Sequence, residues 1–311
     1  MLTGTSRNAL LFVLLSAIWG SAFMAINLGL DFFPAVTFAA LRYDVAGVIM
    51  LGYAAWVADN PVPTTRSEWG QVTIGAVFLI AVYHAFLFIG QTDAEVTSAV
   101  AAVLVSLSPV LTTGFARVLL PAERLTVVGV LGLLLGLVGV VVLANPDPSN
   151  LAGQGTVSKL LVFIAAGSFA FGSVLIRRSN ASLEIETLEG WAMLLGGLLM
   201  HVLALGLGES PAAIEWTTEA LVALMYLSVV ASALGFLIYF DLLERLGPIE
   251  INLVSYVAPV FAAISGWIFL SEGVSLATVA GFVFIFTGFL LIKRRAIQDE
   301  IRRQRGIPAA D

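Results

Sequence analysis

The sequence predicts an all-α integral membrane protein with ten transmembrane helices in two inverted five-helix repeats. The first observation behind this class is composition, because 59% of the 311 residues are hydrophobic and only 12% are charged. Soluble domains carry about 25% charged residues. The second is a series of apolar runs close to the roughly 20 residues that a helix needs to cross a bilayer. The third is a motif that occurs twice, once in each half of the chain.

Ten apolar runs account for most of the chain, whose mean hydropathy is +0.99. The predicted spans are 9–30, 34–57, 70–90, 95–119, 126–144, 157–177, 187–207, 219–240, 248–270 and 275–293. The connections between them are short, so we expect no domain outside the membrane. The chain contains no cysteine, which excludes disulfides, thiolate metal sites and iron–sulfur clusters.

A linker rich in proline and turn-forming residues divides the spans into two sets of five. It covers 145–156, and its composition ends one helix and delays the next. The predicted domains are a first five-helix repeat at 9–144, a second five-helix repeat at 157–293 and a basic cytoplasmic tail at 294–311.

The repeated motif runs from a proline through a glutamate to two glycines. Its members are Ser108-Pro109-Val110, Glu123, Gly132 and Gly139 in the first copy, and Ala258-Pro259-Val260, Glu272, Gly281 and Gly288 in the second. The glutamate follows the proline by 14 and 13 residues, and the next two intervals are 9 and 7 residues in both copies. Because five is an odd number of spans, the second copy must cross the membrane in the opposite direction. Duplicated halves of opposite orientation are typical of secondary transporters.

Positive charge is distributed unevenly between the two sides of this topology. With the N-terminus in the cytoplasm, thirteen of the 15 lysines and arginines fall in cytoplasmic segments. Lys159 lies in an outer loop, and Arg42 lies within a span. The asymmetry predicts a multi-pass protein of the cell membrane with both termini in the cytoplasm. The basic tail is explained as a flank of the last span, so we expect the lipid bilayer and not nucleic acid as its partner.

Several of these residues together resemble the drug/metabolite transporter superfamily, in its EamA-type branch. The resemblance is carried by Ile18-Trp19-Gly20-Ser21-Ala22-Phe23, by Ala39-Ala40-Leu41-Arg42-Tyr43 and by both copies of the repeated motif. It implies a central cavity and the movement of small-molecule metabolites, often the export of amino acids. We expect a small-molecule substrate, no cofactor and no obligate protein partner. The sequence departs from the family pattern at Ala258, where the first copy has Ser108, and at Phe169-Ala170-Phe171, where many relatives have a tryptophan.

Arg42 is the residue that is most costly to place in the predicted spans. It lies about eight residues into its span, where a charged side chain costs at least a few kcal/mol. We expect it to face the bundle interior, either as an anchor for a substrate carboxylate or as a structural arginine bonded to helix-end carbonyl groups. Asp44 lies on another face of the helix and is expected to bond a hydroxyl group on a different helix.

Polar and aromatic residues recur on one face of several otherwise apolar spans. Such stripes are typical of a cavity with mostly apolar walls and a few directional bonds, although a single serine more often serves helix packing. The candidate cavity residues are Trp19, Phe23, Asn27, Arg42, Tyr83, His84, Ser232, Tyr239, Asn252 and Tyr256. For His84, a packing role and a functional role explain the position about equally well. His201 lies near its helix end, where an interfacial or packing role is the better explanation.

The prolines and glutamates of the motif have separate expected roles. Pro109 and Pro259 each free a backbone carbonyl group near the middle of a span, which makes them candidate hinges. Glu123 and Glu272 should lie at opposite membrane faces. We expect each to cap or tie the helix that follows it, with a gate contact as the alternative.

Other functions stay open at this stage. One is a carrier of drugs, nucleotide precursors or sugar phosphates, although the last would need more cations than Arg42. Another is an intramembrane enzyme or a subunit of a complex, but the sequence contains no catalytic or metal-binding constellation that supports an enzyme. Proton antiport and facilitated diffusion are both compatible with the sequence, since Asp44 and His84 are the only titratable groups expected deep in a span.

Overall fold

Ten long helices form nearly all of the protein, in a computed structural model that describes residues 4–120, 126–145, 153–179, 181, 183–246 and 251–304. The helices are α1 (Gly4–Leu30), α2 (Ala35–Val57), α3 (Arg66–Gly90), α4 (Ser98–Leu119), α5 (Val127–Ala144), α6 (Gln154–Arg178), α7 (Ile185–Gly206), α8 (Thr218–Leu246), α9 (Val254–Leu270) and α10 (Leu276–Gln304). A short 3₁₀ turn at Pro211–Ala213 follows α7, and these described ranges contain no β-strand.

The helix lengths confirm the predicted fold class. Eight described helices are long and apolar enough to cross a membrane, and α9 and the Leu276–Ile292 part of α10 are two shorter apolar helices. Two predicted spans end earlier than their helices. The helix α8 continues past the predicted end at 240 to Leu246, and within this extension Asp241 and Arg245 form an ion pair of 2.8 Å across one helical turn. The helix α10 continues past 293 to Gln304.

Every helix runs between two ends of the bundle. The termini end carries the beginning of α1 at Gly4 and the finish of α10 at Gln304. The linker end carries the finish of α5 at Ala144 and the beginning of α6 at Gln154. Most of the predicted linker, residues 146–152, lies outside the described ranges.

Helix contacts are exchanged between the two repeats, as an inverted duplication requires. The helix α5 packs along α10 and α2 along α7, while α1 packs on α9 and α6 on α4. A Cβ atom placed on Gly132 would lie 2.6 Å from the carbonyl oxygen of Gly288, and one placed on Gly288 would lie 2.5 Å from that of Gly132. Gly139 and Gly281 repeat this reciprocal contact at 2.8 Å. The glycines of the motif therefore serve close helix packing.

The contact between α2 and α7 gives the residue offset between these two helices. Gly47 packs on Leu194, and Gly197 packs on Asp44. Adding 150 to positions 47 and 44 gives 197 and 194, so the two contacts are equivalent. The helices run antiparallel, and each residue of α2 corresponds to the residue of α7 that is 150 positions later.

Two helices contain a stretch wound as a π-helix, at equivalent places in the two repeats. These stretches are Gly75–Val82 in α3 and Tyr226–Leu234 in α8. In each, a backbone carbonyl group accepts a hydrogen bond from the first helix of the other repeat. The carbonyl of Phe78 accepts from Ser168 Oγ at 2.8 Å, and that of Ala231 accepts from Trp19 Nε1 at 3.1 Å. Such stretches occur frequently at functional sites, and the sequence did not reveal them.

The two candidate hinge prolines occupy different environments. A turn at Ser106 and Leu107 interrupts α4, and Pro109 stands in the first turn of the segment that follows, where a proline breaks no helical hydrogen bond. Pro259 lies inside the uninterrupted helix α9. The expected loss of a mid-helix hydrogen bond therefore applies to Pro259 alone, and the hinge role of both prolines stays a prediction.

Candidate functional site

A cavity of about 310 Å³ lies between the two repeats, at the lower end of the roughly 300–1,000 Å³ found for small-molecule sites. The first repeat contributes Trp19, Ala22, Phe23, Ile26, Arg42, Tyr43, Leu79, Ile80, Tyr83, His84, Leu87, Ala102, Val105, Ser106 and Ser108. The second contributes Phe169, Ser173, Ile185, Glu189, Ala231, Phe236, Tyr239, Ile251, Asn252, Ser255 and Ala258. Neither repeat encloses the cavity alone.

Most residues of the predicted stripes meet at this cavity. Those that line it are Trp19, Phe23, Arg42, Tyr83, His84, Tyr239 and Asn252. Asn27, Ser232 and Tyr256 do not line it. The convergence of stripes from both repeats is therefore real, and the part that each residue plays in binding stays a prediction.

The cavity extends toward the termini end and stops short of the linker end. Its lining reaches Ile185, the first residue of α7, and Ile251, shortly before α9. Both positions belong to the termini end. Toward the linker end the lining finishes at Ile26, Leu87 and Ala102, one or more turns inside the bundle surface. An occupant would thus enter from the termini end.

A hydrogen-bonded group, the linker-end cluster, lies just beyond that closed end and consists of Asn27, Gln91, Ser98 and Glu272. The Glu272 carboxylate accepts from Asn27 Nδ2 at 2.8 Å and from the backbone N–H of Ser98 at 2.9 Å. Gln91 Nε2 donates to Asn27 Oδ1 at 2.6 Å. These bonds join three helices of the first repeat to the residue that follows α9, so they hold the two repeats together at this end.

The linker-end cluster corrects two predictions. Asn27 was expected on the cavity wall, whereas its amide group is engaged by Glu272 and Gln91. Glu272 was expected to cap or tie the helix that follows it, α10, with a gate contact as the alternative; it caps the beginning of α4 in the other repeat. The first backbone N–H groups of a helix lack partners within the helix and attract a carboxylate, and Ser98 brings such a group to Glu272. The corresponding Glu123 lies outside the described residues.

Arg42 is held at the cavity wall by a residue of the second repeat. Its Nε donates to Ser232 Oγ at 3.0 Å, and its guanidinium carbon lies 5.0 Å from the centroid of the Tyr43 ring. Only 6% of Arg42 is exposed, and it forms no ion pair with any described residue. Ser232 therefore positions Arg42 from behind instead of lining the cavity. The partner is a hydroxyl group and not the helix-end carbonyl groups that the structural alternative predicted.

Asp44 bonds a histidine and not the hydroxyl group that we expected. Its carboxylate lies 2.7 Å from His201 Nε2, which places this pair across the contact between α2 and α7. The register of the two helices explains the pairing, because Gly197 packs on Asp44 and His201 follows one helical turn later. Neither Asp44 nor His201 lines the cavity.

His84 has both ring nitrogens engaged by the protein. Its Nδ1 lies 3.0 Å from the carbonyl oxygen of Ile80, which can only accept, so Nδ1 carries the proton. In the neutral ring Nε2 then accepts from the hydroxyl group of Tyr43, at 2.7 Å. The Tyr83 ring packs on Phe169 of the second repeat at 5.4 Å between centroids. These contacts make a fixed polar and aromatic wall.

The opposite wall is aromatic and is centred on Trp19. Its ring lies 5.5 Å from that of Tyr239 and 5.8 Å from that of Phe236. Its indole N–H is satisfied by the Ala231 carbonyl group. The ring is therefore fixed in place, with its apolar surface presented to the cavity.

Tyr256 points away from the cavity although its neighbour Ser255 lines it. Its ring packs on Phe289 at 4.4 Å and on Phe286 at 5.4 Å, both in α10. Successive residues of a helix are about 100° apart, and these ring contacts turn Tyr256 toward α10 while Ser255 faces the cavity. The predicted stripe on α9 therefore included Tyr256, a residue that faces α10 and not the cavity.

Glu189 lines the cavity near the termini end and was missed by the sequence analysis. It is the fifth residue of α7, two residues inside the span predicted at 187–207. The available signal was an acidic residue within a span, which is a functional candidate by default. Because Glu189 lies so close to the predicted span boundary, it was not recognised as an acidic residue within the span.

The chain is similar to several transporters across most of its length. It is 27% identical over 283 residues to an uncharacterized transporter of Archaeoglobus fulgidus, which is 89% of this chain and 95% of that protein. It is 28% identical over 251 residues to the uncharacterized inner membrane transporter YedA of Escherichia coli, which is 80% of this chain and 78% of that protein. A solved crystal structure shares the fold with a TM-score of 0.66 at 22% identity, over 95% of this chain and 99% of that one.

A family model matches the chain twice. The model of the EamA-like transporter family matches residues 7–145 and again residues 157–294. Together with the apolar helices, these matches make the protein a multi-pass membrane transporter. The chain belongs to the EamA-like transporter family, as the repeated motif and the residues around Trp19 and Arg42 indicate.

Proposed function

We propose that the protein exports small metabolites, amino acids first, across the cell membrane by alternating access. The observation that carries this proposal is the shape of the cavity, which both repeats build and which extends toward the termini end only. At the linker end the bonds of Glu272 to Asn27 and Ser98 close it. With both termini in the cytoplasm, this arrangement corresponds to a state that is open to the inside.

The lining favours amino acids over phosphorylated sugars. Arg42 is the one lysine or arginine among the described lining residues, whereas recognition of a phosphate group usually involves several charge-assisted bonds. A single guanidinium group suits one carboxylate. Trp19 and Tyr239 offer aromatic surface for an apolar side chain or an ammonium group. Drugs and nucleotide precursors are the alternative substrates, and the solute panel below separates them.

Export requires the linker-end cluster to separate while the termini end closes. The reciprocal glycine contacts between α5 and α10 join equivalent residues of the two repeats, so they can persist in both states. The contact of α1 with α9 and the contact of α6 with α4 are equivalent, because each becomes the other when the two repeats are exchanged. They are therefore the contacts that we expect to open and close in turn.

Counterflow in proteoliposomes tests the proposed function. Full-length protein is reconstituted, loaded with an unlabelled solute and exposed to the same solute with a label, across a panel of amino acids, nucleosides, sugar phosphates and organic cations. We expect saturable accumulation of at least one amino acid above protein-free liposomes. If only solutes of another class accumulate, that class replaces amino acids as the proposed substrate. If no solute accumulates, the result contradicts a carrier that acts without other proteins.

Reporter fusions test the proposed orientation. A fusion at the C-terminus should report the cytoplasm, and one within the 145–156 linker should report the exterior, because five spans separate the two repeats. Both fusions on one side would contradict the inverted topology. Exchanged sides would keep the topology and reverse the assignment of the cavity to the inside.

A further inference from the structure

Glu189 is the one carboxylate among the described lining residues of the cavity. It forms no hydrogen bond or ion pair with any described residue, and its side chain is partly buried. Two other acidic side chains are engaged by protein groups. Asp44 bonds His201, and Glu272 bonds Asn27 and Ser98. Glu189 therefore differs from the acidic residues that hold the structure together.

The fold does not require a carboxylate at this position. By the offset of 150, the residue of α2 that corresponds to Glu189 is Ala39, which is fully buried. The equivalent position is thus an alanine in one repeat and a glutamate in the other. An unpaired charge within the membrane is costly. A carboxylate there that no described residue binds therefore indicates a ligand that binds and dissociates.

Glu189 and Arg42 lie at different depths along the cavity. Gly197 packs on Asp44 and close to Ala40, so it lies at the level of Arg42. Glu189 is eight residues earlier in α7, which at about 1.5 Å per residue places it roughly 12 Å nearer the termini end. The cavity thus presents a negative charge near its mouth and a positive charge deeper inside.

We infer that Glu189 is a specificity-determining residue that binds a positively charged amino group of the substrate near the mouth of the cavity. This inference rests on the proposed transport function and names the substrate class as amines, free or as part of a zwitterion. The two charges of an α-amino acid are attached to one carbon atom. The backbone positions of Glu189 and Arg42 differ in depth by roughly 12 Å, so a free amino acid that enters from the mouth contacts Glu189 first and Arg42 at a deeper position.

Aromatic groups that line the cavity together with Glu189 fit this role. Tyr43 and Tyr239 both belong to this lining, and the Tyr239 ring packs beside Trp19. An ammonium group that leaves the carboxylate can move over these rings, which attract cations. The path from Glu189 toward Arg42 is accordingly suited to an amine and unsuited to an anion that carries no amino group.

Three related probes test the inference: phenylalanine, phenylethylamine and 3-phenylpropionate. They share a ring and differ in their charged groups. Counterflow of each is measured with full-length wild-type protein, with Glu189→Gln and with Glu186→Gln. Glu186 is a matched control, because it carries the same charge in the same helix and does not line the cavity.

We expect the wild-type protein and Glu186→Gln to prefer the two amino compounds over 3-phenylpropionate. In Glu189→Gln this preference should fall about ten- to a hundredfold, which corresponds to the loss of one hydrogen bond to a charged group. Glu189→Asp should restore part of it. A merely structural role would lower all three rates together and leave the preference unchanged.

Binding in detergent separates this inference from the transport proposal. Phenylethylamine should bind wild-type protein, measured by calorimetry, and should bind Glu189→Gln about ten- to a hundredfold more weakly. If no solute shows counterflow but this difference in binding is found, the transport proposal fails and the inference stands. An unchanged preference and unchanged amine binding in Glu189→Gln overturn the inference. The inference is also overturned if Glu189→Gln abolishes the effect of a pH gradient on transport but leaves the preference for amino compounds unchanged. Glu189 would then carry protons instead of binding the substrate.

Discussion

The two repeats share their packing contacts but not their charges. Gly132 and Gly288 make the same reciprocal contact, as do Gly139 and Gly281. By contrast, the residue of α7 that corresponds to Arg42 is Ala192, since the offset between α2 and α7 is 150. The duplication therefore maintains the scaffold, while the chemistry of the cavity comes from residues that occur in one repeat only.

This difference indicates where mutations should act. A change at a duplicated glycine disturbs a contact that both repeats need, so it should affect stability. A change at an unduplicated charged residue leaves the helix contacts in place, so it should affect transport and selectivity. Arg42 is the critical case, because it lies in the cavity and is also bonded to the other repeat.

Removal of Arg42 should have the largest effect. Arg42→Ala deletes the one lysine or arginine of the described cavity lining and removes the group that donates to Ser232. We expect transport of amino acids to fall about ten- to a hundredfold, as for the loss of a hydrogen bond to a charged group. Counterflow and the yield of folded protein are measured together, because a buried arginine also contributes to packing.

Arg66→Ala is the matched control for this variant. Arg66 is exposed at the beginning of α3, so its removal should change neither transport nor yield. Full activity of Arg42→Ala at normal yield would show that the charge asymmetry between the repeats has no role in transport.

Weakening of the linker-end cluster should have the next largest effect. Glu272→Gln removes the charge that binds Asn27 and the beginning of α4. We expect the linker end to open more often, by about tenfold if one charge-assisted bond is lost. The readout is labelling of an Ala102→Cys reporter by an impermeant thiol reagent, since Ala102 lines the cavity near that end and the chain has no other cysteine.

Labelling is compared between intact cells and inverted membrane vesicles. Glu219→Gln is the control, because Glu219 is exposed at the same end at the beginning of α8. Equal labelling of the Glu272 and Glu219 variants from the linker side would show that the cluster does not close the cavity.

The scaffold could be predicted from the sequence because it depends on quantities that a sequence carries directly. Apolar runs of spanning length follow from the absence of water in the membrane, which favours helices. The spacing of Gly132 and Gly139 recurs at Gly281 and Gly288, and this repetition of small residues predicted the duplication. Stripes of polar and aromatic residues then indicated which helix faces meet, as Trp19 and its neighbours show.

The pairing of polar groups could not be predicted in the same way. Gln91 and Asn27 are 64 positions apart, and Asn27 and Glu272 are 245 apart, so the linker-end cluster exists only once the helices are packed. A choice between adjacent residues is equally hidden. A rotation of α9 by 100° decides whether Ser255 or Tyr256 faces the cavity, and the contact with Phe289 settles it.

The duplicated glycines offer a test of the scaffold that is independent of transport. Gly132→Ala and Gly288→Ala should each lower the free energy of unfolding by about 1–3 kcal/mol, the usual effect of overpacking. The two effects should be similar, because the added Cβ atoms meet carbonyl oxygens at 2.6 and 2.5 Å. Thermal unfolding in detergent is the measurement.

Gly167→Ala is the control for the glycine variants. Apart from its chain neighbours and the backbone of its own helix, no heavy atom lies within 4 Å of a Cβ atom placed at Gly167, so alanine there should leave stability unchanged or raise it through its better helix propensity. A much larger loss in one of the two motif variants would contradict an equivalent role in the two repeats.

The smallest effect should come from Ser232, the residue by which the second repeat holds the charge of the first. Ser232→Ala removes the hydroxyl group that accepts from Arg42 Nε but leaves the arginine in the cavity. A single hydrogen bond contributes about 0.5–1.5 kcal/mol, so transport should fall about two- to tenfold, less than in Arg42→Ala. Ser228→Ala is the control, because Ser228 is equally buried one turn earlier and bonds the Leu224 carbonyl group of its own helix. If both serine variants behave alike, the bond to Ser232 does not position Arg42. If Ser232→Ala matches Arg42→Ala, the arginine acts mainly by joining the repeats and not by meeting the substrate.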